Sequence, residues 1–136
     1  MAGVPIELLR QVPLFADLDD LQLEQVARLF KERRFVKGET VIMEGSGGAA
    51  FFLIAEGQAA VTVAGAQRPP LQAGDHFGEI ALLDEGRRSA TVTASTDLLC
   101  YGLTLWEFRP LVESNGTIGW RLLQSLAKRL RAAEED

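Results

Sequence analysis

Residues able to do chemistry are concentrated in one stretch, Phe77-Gly78-Glu79-Ile80-Ala81-Leu82-Leu83-Asp84-Glu85-Gly86-Arg87-Arg88-Ser89-Ala90-Thr91-Val92. A glycine and an acid open it. A short apolar segment and a glycine turn follow, and an arginine then leads into a β-like run. That layout suits an anion-binding cassette. Gly78 lets the backbone come close to a ligand. Ile80-Ala81-Leu82-Leu83 is long enough for one helical turn, whose first N–H groups lack partners and attract anions. Arg88 adds a fixed, forked positive charge. Ser89 and Ala90 add backbone donors, with the Ser89 hydroxyl beside them. Glu79 needs a different target, because a carboxylate aimed at an anion is repelled, whereas one aimed at a hydroxyl is a good acceptor. Taken alone, Gly78-Glu79 reads as a turn with a solvated acid and Arg87-Arg88 as a surface pair. Their spacing within a glycine-punctuated chain gives them weight together.

Composition narrows the chemistry further. The chain has 136 residues and an apolar fraction of 47%, which suits one domain with one hydrophobic core. A net charge of −5 supplies no general basic field, so no nucleic acid is expected to bind this chain alone. Cys100 is the only cysteine and His76 the only histidine, which excludes an internal disulfide and leaves no metal cluster to expect. Cys100 reads as a small buried apolar residue and His76 as a packed or surface residue. No apolar run approaches the about 18–20 residues that span a bilayer, and no secretory pattern opens the chain. A cytoplasmic protein without a membrane partner or cofactor is therefore expected.

The elements that must hold the cassette follow from periodicity. Residues 12–34 form an N-terminal helical part. Leu18, Leu21, Leu23, Val26, Ala27, Leu29 and Phe30 carry helical spacing. Asp19 is the expected N-cap, with Gln22 closing a capping box. Lys31-Glu32-Arg33-Arg34 reads as the solvated last turn of that helix, favoured there by the macrodipole. Residues 35–105 hold short apolar runs between glycines, the pattern of a β-sandwich or barrel. Ala64-Gly65-Ala66 reads as a hairpin turn, and Pro69-Pro70 as an edge or loop. Residues 106–134 are helical. A short helix over Leu105–Val112 is interrupted or started near Pro110. A longer one begins at Asn115 or Thr117, with a stripe of Ile118, Leu122, Leu126 and Leu130. The expected fold is mainly β with flanking helices, one domain over residues 1–136.

The cassette over residues 77–92 resembles the phosphate-binding cassette of the cyclic-nucleotide-binding domain family, whose common form reads roughly F-G-E-[IL]-A-L-L…R-[AST]-A-T-V. Gly38-Glu39, Glu44-Gly45 and Glu56-Gly57 are similar to that family's turn residues, and Pro13-Leu14-Phe15 with Leu18 to its helical lead-in. The resemblance implies an antiparallel β-roll of jelly-roll type with an N-terminal helix and a C-terminal lid helix. It implies that Glu79, with Gly78, binds a ribose 2′-hydroxyl. Arg88 then binds the cyclic phosphate, with Ile80, Ala81, Ser89 and Ala90 lining it. A family valine packs on the base, which Val61 or Val63 matches. Several members carry a lid arginine that meets the purine, which Arg129 matches. Threonine after the cassette arginine is associated with cyclic GMP and alanine with cyclic AMP. Ser89 stands there, so cyclic AMP is favoured and cyclic GMP remains open. Arg87 has no partner in the motif and is expected to face solvent or pair with Asp84 or Glu85.

The resulting expectation is a sensor without catalysis of its own, in which ligand binding moves the C-terminal helix toward an effector protein or domain. One alternative is the sensor part of a transcription regulator, with its DNA reader supplied elsewhere. Another is an interaction module with a vacant pocket. An enzyme is disfavoured by the lack of a Ser-His-Asp set, a P-loop or a metal cluster. The leucine stripe has two possible partners, the β-roll or its twin in a homodimer.

Overall fold

The computed structural model describes residues 3–84 and 86–135, apart from the Ile80 side chain. Helix α1 (Ile6–Arg10), a 3-10 turn (Pro13–Phe15) and helix α2 (Asp20–Ala27) open the chain. The strands follow as β1 (Lys31–Phe35), β2 (Thr40–Ile42), β3 (Ala50–Glu56), β4 (Gln58–Val63), β5 (Ala66–Gln72) and β6 (His76–Phe77). A second 3-10 turn (Glu79–Leu82) precedes β7 (Thr91–Ala94), β8 (Leu98–Thr104), helix α3 (Leu105–Ser114) and helix α4 (Gly116–Glu135). Two four-stranded antiparallel sheets result, in the orders β1-β8-β3-β6 and β2-β7-β4-β5. This is the mainly β fold with flanking helices that the sequence leads one to expect.

Alternation along β3 divides the core in two. Side chains of successive strand residues leave opposite faces of a sheet. Phe51 and Leu53 point into a cluster with Leu9, Phe15, Phe30, Phe108, Ile118 and Leu122, under the helices. Phe52 and Ile54 point the other way, onto Ala59, Val92, Ala94 and Cys100 between the sheets. Phe15 meets Phe51 and Phe108 edge to face, with centroids 6.1 and 5.9 Å apart. Such pairs favour one geometry beyond simple area burial. Cys100 is fully buried, as its apolar reading requires, and burial pushes its thiol up to about 11 against the opposing Arg33 charge.

Local signals set several boundaries as expected. The Asp19 carboxylate accepts from the Gln22 N–H at 2.8 Å, and the Gln22 side chain returns the bond at 3.0 Å. Ala64 and Gly65 both take positive φ, 51° and 81°, which matches a tight hairpin turn between β4 and β5. Asn115 caps α4 by accepting from the Ile118 N–H at 3.2 Å.

Two expectations need correction. Lys31–Arg34 is not a helix turn but most of β1, paired in register with β8 from Lys31↔Gly102 to Phe35↔Leu98. Helix α2 stops at Ala27, and its last turn closes through Leu29 N–H to Val26 and Phe30 N–H to Ala27. A run of four charges has no period of its own, so pairing with β8 decides its conformation. Pro110 neither starts nor interrupts α3, which runs through it. The proline forfeits one bond, to the Trp106 carbonyl, on an exposed face where water can replace it. No helix among the described residues is long and apolar enough to cross a membrane.

Candidate functional site

The cassette is anchored at both ends. On one side, β6 pairs with β3 through Phe52↔Phe77 and Leu53↔His76. The 3-10 turn then buries Ala81 and Leu82, with Leu82 joining the helix-side core. On the other side, the Gly45 N–H donates to the Arg88 carbonyl and the Arg88 N–H to the Ser46 carbonyl, both at 2.8 Å. Gly47 and Arg87 form a bridge beside them. These bonds fix the Arg88 backbone before β7 begins.

Between the anchors lies a cavity of about 540 Å³. Gly78, Glu79, Ala81, Arg88, Ser89 and Ala90 line it, together with Val61 from β4. Ile80 lies in the 3-10 turn, and its side chain is outside the described residues. Val63 is not in the lining. It sits two residues, about 7 Å, further along β4 at the hairpin turn. Arg129 reaches the site from α4 and meets Glu79. His76 instead packs against the Phe51 ring, centroids 5.7 Å apart.

Arg88 is held in a slot between backbones. Its Nη2 donates to the Ala50 carbonyl at 2.6 Å. A Cβ on Gly48 would fall on the Arg88 guanidinium. A Cβ on Gly78 would lie 2.8 Å from Arg88 Nη1 and 2.8 Å from the Ala50 oxygen, and the Gly78 φ of +83° independently favours glycine. Burial pulls the Arg88 guanidinium below its ordinary value, yet a guanidinium stays charged at any pH a folded protein meets. Among the described residues it has no carboxylate within ion-pair distance. A partly desolvated cation with four N–H donors left beyond the Ala50 bond is what an anion would satisfy.

Glu79 lines the same cavity but does not pair with Arg88. Its Oε1 accepts from Arg129 Nη2 at 3.2 Å, and its Oε2 is buried without a hydrogen-bond partner among the described residues. The site therefore offers separate places to an anion and to a hydroxyl donor. Ile42, Pro69, Leu71, Phe77 and Val92 give the rest of the wall an apolar character suited to a ring system. Phe77 and Val92 bound the cassette in the sequence, whereas Ile42, Pro69 and Leu71 carry no site signal there, because short strands show which face is apolar but not which strands share a cavity. Arg87 is exposed, as one of its expected readings has it, and does not pair with Asp84. Its Nη1 donates to the Gly45 carbonyl at 3.0 Å, since the bridge to Gly47 brings that carbonyl within reach. The alternative partner, Glu85, lies outside the described residues.

Residues 32–115 match the family model described as the cyclic nucleotide-binding domain. The chain is 40% identical over 92 residues to a cAMP-dependent protein kinase regulatory subunit of Yarrowia lipolytica, covering 66% of this chain and 24% of that one. Its fold superposes on the N-terminal domain of a transcriptional regulator from Streptomyces coelicolor with a TM-score of 0.87 and 28% identity, over 94% of this chain and 95% of that one. The Thermus thermophilus catabolite activator protein superposes with a TM-score of 0.69 and 31% identity, over 90% of this chain and 60% of that one. The chain thus spans about a quarter of the length of the curated relative.

Proposed function

The chain belongs to the cyclic nucleotide-binding domain family, and from that premise we propose that it is a sensor module that binds a cyclic nucleotide and passes the event on through α4. Arg88, Ser89, Ala90, Ala81 and Ile80 take the cyclic phosphate. Glu79 and Gly78 take the ribose, and Val61 faces the base. Cyclic AMP is the favoured ligand, supported by Ser89 after the arginine and by the kinase subunit's name; cyclic GMP is the second choice.

The observation that carries this assignment is the contrast between the two charged groups in one cavity. Among the described residues Arg88 has no carboxylate partner and Glu79 has no donor for one oxygen, yet they do not neutralise each other. An anion and a hydroxyl on one ligand would satisfy both. The module acts by binding, without chemistry of its own, and residues 1–136 serve as one unit. A ligand that binds one position of α4 more tightly than another shifts the balance between them. The partner that reads α4 is an effector protein or domain. A cytoplasmic setting, where a lone buried thiol stays reduced, fits this role.

A second copy of the chain is a further partner. Leu123, Leu126 and Leu130 lie at a spacing of three and four residues on α4 and stay 58%, 36% and 64% exposed. That spacing suits a helix pair across a two-fold axis.

Calorimetric titration of nucleotide-stripped protein with cyclic AMP and cyclic GMP tests the assignment. Binding at micromolar concentration or tighter is expected. Arg88→Ala should cost about 2–4 kcal/mol, or about 30- to 700-fold in affinity. Unchanged affinity in that variant would remove the phosphate role from Arg88. No binding by the folded wild-type protein would overturn the sensor function itself.

A further inference from the structure

Glu79 is held from one side by a residue that belongs to another part of the fold. Its side chain is 13% exposed, and Arg129 on α4 supplies the hydrogen bond to Oε1. Oε2 is buried with no partner among the described residues, an arrangement that costs free energy until a donor arrives.

Helix α4 does not reach Glu79 by chance of a long side chain. Ile118 and Leu122 are buried in the helix-side core. Ser125 Oγ donates to the Pro13 carbonyl at 2.6 Å, Arg121 to the Asp17 carbonyl at 3.0 Å, and Lys128 Nζ to the Asp17 carboxylate at 2.9 Å. Residues four apart on a helix share a face. Arg129 is therefore carried one turn past Ser125 by a helix already fastened to the N-terminal turn.

We infer that Arg129 is a positioning residue for ribose recognition. By occupying Oε1 it fixes the Glu79 carboxylate and reserves Oε2 as the acceptor for the ligand's 2′-hydroxyl. This inference rests on the cyclic-nucleotide function proposed above and deepens it. It gives Arg129 a role in choosing the sugar, where the family resemblance implies contact with the base. It also couples sugar to helix: a ribose hydroxyl on Glu79 favours the docked position of α4, and by reciprocity the docked helix favours ribose.

The two roles separate by ligand. A side chain that touches the base acts equally on ribose and deoxyribose nucleotides. One that works through Glu79 acts on the ribose form alone. Wild type, R129Q, R129K, E79Q and the double variant R129Q/E79Q would be titrated with cyclic AMP and with 2′-deoxy-cyclic AMP. Thermal melts would check that each variant folds. R129Q should weaken cyclic AMP by about tenfold and change the deoxy analogue by less than about twofold. R129K should recover part of the loss. In the E79Q background, R129Q should have no further effect. Equal losses for both ligands, or a persistent R129Q effect without Glu79, would overturn the positioning role. Wild-type protein that binds both ligands equally well would do the same while leaving the sensor function standing. Wild-type protein that binds neither would overturn both.

Discussion

A methyl group at residue 48 would land on the Arg88 guanidinium, whereas one at residue 78 would also meet the Ala50 backbone oxygen. The two glycines should therefore respond differently to alanine. Gly48 has no positive φ, so Gly48→Ala strains no backbone and displaces only a flexible side chain. It should lower nucleotide affinity by about tenfold, the worth of one charge-assisted contact, while the melting temperature stays within a few degrees. Gly78→Ala should lower both, because positive φ adds about 1–2 kcal/mol of strain. Unchanged affinity in Gly48→Ala would show that Arg88 can leave its slot without loss. Glu79 and Arg88 were legible in the sequence because an acid and a base at that spacing ask for two kinds of ligand atom. Gly48 was not. A glycine that makes a turn and a glycine that makes room are written with the same letter, and Gly48 stands three residues from the turn glycine Gly45.

At the scale of elements, the start of α3 is tied to the edge strand β1. The Glu107 carboxylate accepts from the Thr104 N–H at 3.1 Å and pairs with Lys31 at 3.0 Å, while its own N–H donates to Thr104 Oγ1 at 3.3 Å. Burial works to raise the Glu107 carboxyl. Hydrogen bonds from Lys31 and Thr104 outweigh it and hold the group below its ordinary value of 4.5. A carboxyl lowered by folding stabilises the native state above its unfolded value, and that stability is lost as pH falls through the folded value. Thermal melts from about pH 6 to about pH 3 should therefore show the wild type losing its advantage over Glu107→Gln below the ordinary value of 4.5. A difference that stays constant across that range would remove the ion pair from the acid response. Helices with caps, such as the one opened by Asp19 and Gln22, were readable because their signals are local. The strand Lys31–Phe35 was not, because its conformation is set by Leu98–Gly102, far along the chain.

For the whole molecule, α4 divides along its length. Ile118 and Leu122 enter the core, but Leu126 and Leu130, the other half of the same sequence stripe, remain 36% and 64% exposed. Periodicity announces an apolar face and is silent about what covers it. If a second copy covers this one, sedimentation should find a dimer at micromolar concentration. Leu123→Glu with Leu130→Glu should then give a monomer with an unchanged melt, since neither side chain is buried in the single chain. A wild-type monomer would assign that face to the effector alone. The sheets themselves present four margins, β1, β6, β2 and β5. Strand β1 is charged at Lys31, Glu32, Arg33 and Arg34. Strands β6 and β2 are two and three residues long. Strand β5 carries Pro69 and Pro70 at a register shift against β4, where neither can offer an N–H. Each margin is thus closed to strand addition by its own means. Two copies held close through their helices would be kept from fusing edge to edge, and crowding on an effector should not seed fibrils.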